Sequence, residues 1–408
     1  MRILFLCHRI PYPLDKGEKI RAFYQLRALA EQHEVDVFSL VDDPEDLLHR
    51  VELTKYCRRL VLAQIFPWSA RLRSLPRLLG SMPLTVPYFY SGKLAAAIDE
   101  AVRQRVYDRI FVYCSAMAQY IPEEIGIPVI MDLVDVDSNK WRQYATRSKF
   151  PLSAIYRREA RCLREYERQI CEKSACVLVT TEREAELVRQ LSPMIRVHVI
   201  PMGVDIRPLP EPAPDAETNA PTILFVGAMN YFPNQEAVSF FARQVLPLIR
   251  QSIPNARFLV VGRDPGRSIR ELAKFPGIEV TGYVADVGPY LAQAHVSVAP
   301  FSMAAGIQSK ILEALACGLP VVATPRAVQA LVKDIADIIE TAETAAELAA
   351  KVVYFLNDRI AAQRRGMEGR RRVTDAYGWD RPLQQLSELV EHPGRRAFGA
   401  PRLTTAPA

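Results

Sequence analysis

The stretch VSVAPFSMAAGIQSKILEALACGLPVVAT, from Val296 to Thr324, decides how this chain folds. It opens on a short apolar run, Val296–Phe301, and closes on another, Pro320–Thr324. Between them Ile311, Leu312 and Leu315 recur at helical spacing, which predicts a helix over Gln308–Cys317. Strands that are apolar throughout and joined by a helix belong to a parallel sheet covered on both faces. The small residues Ala304–Gly306 let the backbone approach a ligand closely, so Gly306, Ile307 and Gln308 become candidates to meet it. The free amides and dipole of the helix start attract phosphate oxygens. Lys310, in the first turn, reaches the same phosphates. Glu313 lies three residues on, on the same helix face. Its carboxylate can accept two hydrogen bonds, which suits the paired hydroxyls of a ribose. Diphosphate at the helix start and ribose one turn deeper together describe a nucleoside diphosphate. The plainer alternative is an exposed ion pair between Lys310 and Glu313.

Working outward, the same alternation fills the chain. Before Val296 come the strand candidates Thr222–Gly227, Arg257–Gly262 and Ile278–Val284; after Thr324 comes Asp337–Thr341, with helices such as Gln235–Gln251 and Ala345–Leu356. In the first half, Arg2–Cys7, Glu34–Leu40, Leu60–Ile65, Arg109–Cys114, Val129–Leu133, Cys176–Thr180 and Arg196–Pro201 read as strands. Ile20–Gln32, Gly92–Gln104, Leu152–Lys173 and Glu182–Leu191 read as helices. The alternation stops at Arg207–Pro221, where five prolines remove backbone donors and mark a linker. The expected fold class is therefore α/β: two doubly wound, parallel-sheet, Rossmann-like domains facing a cleft. The expected divisions are 1–205, a linker at 206–221, a second domain over 222–375, a closing helix at 376–392 and a disordered tail at 393–408. In such sheets ligands gather at the carboxyl ends of the strands.

Composition agrees with a core-forming protein. Of 408 residues, 49% are hydrophobic and 24% charged. The net charge of +6 is concentrated: between Arg50 and Lys93 eight basic residues face one acidic residue, Glu52. Within that window, Trp68–Leu79 mixes arginines with leucines, a pattern suited to an anionic membrane surface or to a solvated helix packed on the sheet. Seven scattered cysteines without a CxxC pair read as reduced thiols. The N-terminal apolar run is too short for a signal peptide, and no stretch approaches a membrane span. These features point to a cytoplasmic protein, peripheral to a membrane at most.

Several of these segments, taken in order, resemble the retaining glycosyltransferases of GT-B fold, family 4 type. Lys310-x-x-Glu313-Ala-Leu-Ala-Cys-Gly-Leu-Pro-Val-Val-Ala-Thr is similar to their nucleotide-binding signature. Ile200-Pro-Met-Gly-Val-Asp205 looks like their interdomain crossing, with Met202 where Asn is usual. Gly227-Ala-Met-Asn-Tyr-Phe-Pro-Asn234 resembles the opening of the donor domain, and Tyr377-Gly-Trp-Asp380 the start of the closing helix. Pro13–Arg21, Asp132–Ser138 and Gly306–Lys310 look more narrowly like exosortase-associated sugar transferases of exopolysaccharide loci. The resemblance implies a hexosyl transfer with retention, independent of metal and cofactor. The implied partners are a nucleoside-diphosphate sugar and a saccharide or lipid-linked acceptor, with no nucleic acid. It also implies that the first domain binds the acceptor and the second the donor, and that the loop His8–Lys19, with Asp15 and Gly17, leans over the donor phosphates. One departure stands out. The family pairs two glutamates eight positions apart, and the earlier position here is Ala305, which leaves the contact to the donor sugar open.

Arg263, after the strand Arg257–Gly262, is the other cation available to a diphosphate. Asp132, Asp135 and Asp137 follow Val129–Leu133. Asp135 and Asp137 are candidates to touch the acceptor or stabilise positive charge at the anomeric carbon; helix capping by Asp137 or Ser138 is the alternative. Asp135-Val136-Asp137 also spells a DxD metal motif, discounted because that motif serves a different architecture. His8 is a weaker candidate for lining the cleft. A nicotinamide oxidoreductase is excluded by the lack of GxGxxG after either opening strand. A non-catalytic relative of the fold and a nucleotide-sugar epimerase are the remaining alternatives.

Overall fold

The computed structural model describes residues 1–14, 16–68, 70, 80–104, 106–123, 125–206, 220–284, 286–304 and 307–394. Asp15, Ala305, Gly306, nearly all of Trp68–Leu79, the linker prolines before Ala220 and the tail beyond Gly394 lie outside the described residues. The chain divides into two compact units, Met1–Pro201 together with Asp380 onward, and Met202–Trp379.

In the first unit, β1 (Arg2–Cys7), β2 (Glu34–Val41), β3 (Arg59–Gln64), β4 (Arg109–Tyr113), β5 (Val129–Val134), β6 (Cys176–Val179) and β7 (Val197–Val199) form one sheet. Its order is β3-β2-β1-β4-β5-β6-β7, and every pairing is parallel. The central strands are buried on both faces, as their unbroken apolar runs require. Helix Gly17–Gln32 begins three residues before the expected start, so Gly17 opens the helix instead of lying in the loop. Helix Asp380–Glu391 belongs to this unit, where Arg109 Nε donates to the Val390 carbonyl (2.9 Å).

The second sheet contains β8 (Thr222–Val226), β9 (Arg257–Val261), β10 (Ile278–Val280), β11 (Val296–Ala299), β12 (Val321–Ala323) and β13 (Glu340–Thr341) in the order β10-β9-β8-β11-β12-β13. All its pairings are parallel. Both sheets are doubly wound. The chain moves outward in one direction from β1 or β8, then returns to start the other half beside it, at β4 or β11. The strand order thus reverses between β1 and β4 and between β8 and β11, and those crevices are where such sheets bind ligands.

Two expected elements come out differently. The strand expected over Ile278–Val284 stops at Val280, because Gly282 turns the chain at φ 76°. The helix expected over Gln235–Gln251 is broken into Phe232–Phe240, a π-turn at Phe241–Val245 and Leu246–Ser252. Pro247 has no amide to bond Arg243 and its ring crowds that carbonyl, which is where the ladder widens.

Candidate active site

The second unit's crevice is built from four strand ends. β8 and β9 finish side by side in glycines. Gly262, at φ 154°, comes so close to Gly227 that a Cβ there would lie 1.8 Å from the Gly227 carbonyl oxygen. The loops that follow are stitched together: Met229 N–H donates to the Arg263 carbonyl (2.8 Å), and Asn230 Nδ2 to Asp264 (2.9 Å). Across the reversal, Ser302 after β11 donates to Glu236 (2.7 Å) and Thr324 after β12 to the Phe301 carbonyl (2.6 Å). The expected helix appears as Ser309–Ala316, with Gln308 at its N-cap position and, among the described residues, no side-chain cap hydrogen bond there.

Lys310 projects from the first turn over the rings of Phe301 and Phe225, its Nζ 4.7 and 5.9 Å from their centres. Phe225 belongs to β8 and Phe301 follows β11, so the ammonium stands over the crevice where strand order reverses. Burial lowers the Lys310 pKa to about 8, and Glu313 works the other way. A lysine kept in such surroundings at a cost in solvation is set up to receive an anion. Ile307, Gln308 and Glu313 are half-buried around it. The Arg263 guanidinium follows β9, with Nε 3.6 Å from Asp264.

At the first unit's crevice, His8 directly follows β1. Its ring stacks on Tyr113 at 5.9 Å and meets Phe89 edge-on at 5.3 Å. Burial lowers its pKa to about 4, so the imidazole is neutral at ordinary pH, and its buried Nδ1 has no hydrogen-bond partner among the described residues. Beside it Arg9 pairs with Glu18 and with Asp42 (2.7 Å to the latter). Burial would raise the Glu18 pKa, but Arg9 holds it down at about 2.

The aspartates after β5 have separate fates. Asp132 is fully buried and accepts from Arg21 Nε (3.0 Å), Gln25 Nε2 (2.7 Å) and the Val134 amide (2.9 Å). Arg21 in turn donates to the Ile200 carbonyl (2.7 Å), so this carboxylate is committed to structure. Asp135 accepts from Thr180 (3.0 Å), whereas among the described residues Asp137 accepts only a long hydrogen bond from Ser115 (3.4 Å). Burial raises both their pKa values, and Asp137 in turn raises that of Lys140 against the effect of burial. Helix Asp137–Arg147 starts here, but neither Asp137 nor Ser138 caps it with a side chain.

What holds this loop was not foreseen. Three buried carboxylates grip alternate amides: Asp132 takes Val134, Glu184 takes Val136 (2.6 Å) and Glu167 takes Ser138 (3.0 Å). They over-determine a strained segment, with Val134 at φ 66° and neighbouring Cys114, at the end of β4, at φ 73°. A signal for Glu167 did exist. It shares one helical stripe with Leu163, Ile170 and Cys171, where a charge is out of place.

Burial, with Asp137 nearby, pushes the Glu167 pKa up to about 8. The folded state therefore keeps a proton that the unfolded chain releases near its ordinary 4.5. The associated stability is present below the unfolded value and is lost as pH rises through the folded one. Glu167→Gln retains an acceptor for Ser138 and removes the titration. Melting temperatures should then fall less between pH 5 and 8 in the variant than in the parent; parallel falls would exclude this assignment.

Among the described residues, no three His, Cys, Asp or Glu side chains are arranged to hold a metal ion, and no helix is long and apolar enough to cross a membrane. Structural comparison finds similar folds that span nearly the whole chain. A sucrose-phosphate synthase from Thermosynechococcus elongatus is 21% identical with a TM-score of 0.71, covering 96% of this chain and 98% of that one. Anabaena HepE in complex with UDP and glucose is 14% identical at a TM-score of 0.60, covering 96% and 100%. A TarM mutant of S. aureus in complex with fondaparinux, α-GlcNAc-glycerol and UDP is 10% identical at a TM-score of 0.64, again over 96% and 100%. At these identities the likeness speaks for the fold alone. A comparison with curated proteins finds no match. Sequence families identify the chain further: residues 17–203 match the glycosyl transferase 4-like domain and residues 220–358 the glycosyl transferases group 1. Matched in that order and together spanning most of its length, these families make the chain a group 1 glycosyltransferase of GT-B fold.

Proposed function

We propose that this glycosyltransferase takes a sugar from a nucleoside-diphosphate donor held by the second unit and passes it, with retention and without a metal, to a saccharide or lipid-linked acceptor held by the first, in the synthesis of an exopolysaccharide. The observation that carries the reading is the Lys310 ammonium, poised over the β8–β11 crevice beside a helix start that no described side chain caps. Lys310 and the amides near Gln308 take the diphosphate, Arg263 adds a second cation from β9, and Glu313 takes the ribose hydroxyls. Asp15, Gly17 and Gly306 keep the supporting roles that the resemblance implies. HepE, a fold neighbour, is complexed with UDP-glucose, which favours a uridine nucleotide as the first donor to try.

In the transfer, the acceptor oxygen bonds the anomeric carbon as the carbon–oxygen bond to the diphosphate breaks. The bonding pair leaves with the diphosphate, where Lys310 and the helix dipole stabilise it. The acceptor proton leaves with the same phosphate. Asp137, the least committed carboxylate of its loop, faces the positive charge that develops on the sugar, with Asp135 beside it. His8, too weak a base to take a proton at its pKa of about 4, offers Nδ1 as a hydrogen-bond acceptor to a hydroxyl.

A panel of nucleoside diphosphates and nucleotide-sugars, read by thermal shift and then by turnover, tests the reading. Glu313→Ala should weaken nucleotide binding roughly 10- to 100-fold, the value of charge-assisted bonds to the ribose, while melting stays nearly unchanged. Equal affinity of parent and variant for every nucleotide would remove Glu313 from the site.

A further inference from the structure

Helices Asp137–Arg147 and Leu152–Lys173 form an antiparallel hairpin that the reading above uses only at its base. Ser138 meets Glu167 there, and further out Trp141 packs on Tyr156 at 5.2 Å between ring centres. The turn between the helices is therefore the end remote from the carboxyl edge of the sheet. From Glu167 out to Leu152 the helix rises about 22 Å.

That outer end is chemically one-sided. From Asn139 to Arg164 the sequence holds eight basic residues and a single acid, Glu159. Glu159 is 2% exposed and spent on the Leu84 amide (2.7 Å) and the Thr85 amide and hydroxyl (2.9 and 2.7 Å). Arg142, Arg147, Lys149, Arg157, Arg161 and Arg164 are exposed, and none of them forms an ion pair among the described residues. In the turn, Phe150 is 84% and Leu152 51% exposed. Large apolar side chains at a helix-hairpin tip, ringed by unpaired cations, match an interface in which acyl chains lie beneath phosphate headgroups. Nucleic acid would satisfy the cations but gives an aliphatic Leu152 nothing to bury against.

We infer that the tip of this hairpin, Arg147 to Arg157, docks on a bilayer surface carrying anionic lipid. The inference deepens the acceptor half of the proposed function and rests on that reading only for its consequence. With the tip at the headgroups, the loop carrying Asp135 and Asp137 sits within about 20 Å of the membrane, in reach of an acceptor anchored in lipid.

Co-sedimentation of the full-length protein with phosphatidylcholine vesicles, with and without phosphatidylglycerol, tests it in the absence of any nucleotide-sugar. The parent should bind only the anionic vesicles and should release them at high salt. Arg147→Gln with Lys149→Gln should lower the partition coefficient about thirtyfold, and Phe150→Asp with Leu152→Asp should abolish binding. Melting temperatures of both variants should match the parent, since every altered side chain is exposed. No binding by the parent, equal binding by the variants, or capture of single-stranded DNA in preference to vesicles would overturn the inference. Nucleotide affinity is measured separately on the same samples, so a failure here leaves the donor site standing, and a failure there leaves the docking surface standing.

Discussion

Replacing Lys310 by alanine is expected to lower kcat/KM for the donor by two to three orders of magnitude, roughly what removal of one preorganised donor to a developing charge costs. The half-buried residue stands over Phe225 and Phe301, where a diphosphate would raise its pKa again. Its depressed folded pKa means that the unfolded chain holds the proton more tightly, so the cost to folding is full below about pH 8 and is relieved only as pH rises from there toward the ordinary 10.5. Lys310→Ala should accordingly melt no lower than the parent at neutral pH. Loss of activity together with loss of stability would instead mark Lys310 as a packing residue. The titration provides a second check. Nucleotide affinity of the parent should fall as pH passes about 8 and should be accompanied by proton uptake in calorimetry. Lys310→Arg, which stays charged, should show no such fall.

The largest stability effect is expected from Asp132→Ala. That substitution strands the Arg21 guanidinium in full burial, together with the Gln25 amide and the Val134 N–H. Breaking a buried pair from one side costs about 3–5 kcal/mol, most of it from the charge left behind. The effect should appear as an earlier transition of the first unit alone in urea, with the second unit's transition unmoved. Asp132→Asn, which keeps one acceptor oxygen, should lose less. Because Arg21 also holds the Ile200 carbonyl, the exit from β7 loosens in both variants, and a turnover defect in either reports lost positioning.

The sheets were legible because each central strand is apolar on both faces, a pattern that needs no knowledge of distant residues. The helix start near Gln308 was equally local, since strand, small-residue loop and apolar stripe are contiguous in sequence. Strand order and the placement of Lys310 against Phe225 and Phe301 are of another kind. They join residues far apart along the chain and follow only once β8 and β11 are neighbours. The three aspartates looked alike in sequence, yet Arg21 on the first helix holds Asp132 while Asp137 keeps only a long contact from Ser115 among the described residues. Glu167 and Glu184, which hold the loop, come from two later helices. Pro247 was visible, but its consequence, a π-turn inside the helix, depends on a helix strong enough to survive it.

The central claim is that a nucleoside diphosphate lies at the β8–β11 crevice. A crystal structure of the protein with UDP tests it most directly. The account predicts diphosphate oxygens within hydrogen-bonding distance of Lys310 Nζ and the first amides of helix Ser309–Ala316, with the ribose on Glu313. Diphosphate bound elsewhere on the second unit, with Lys310 still turned onto its phenylalanines, would contradict it.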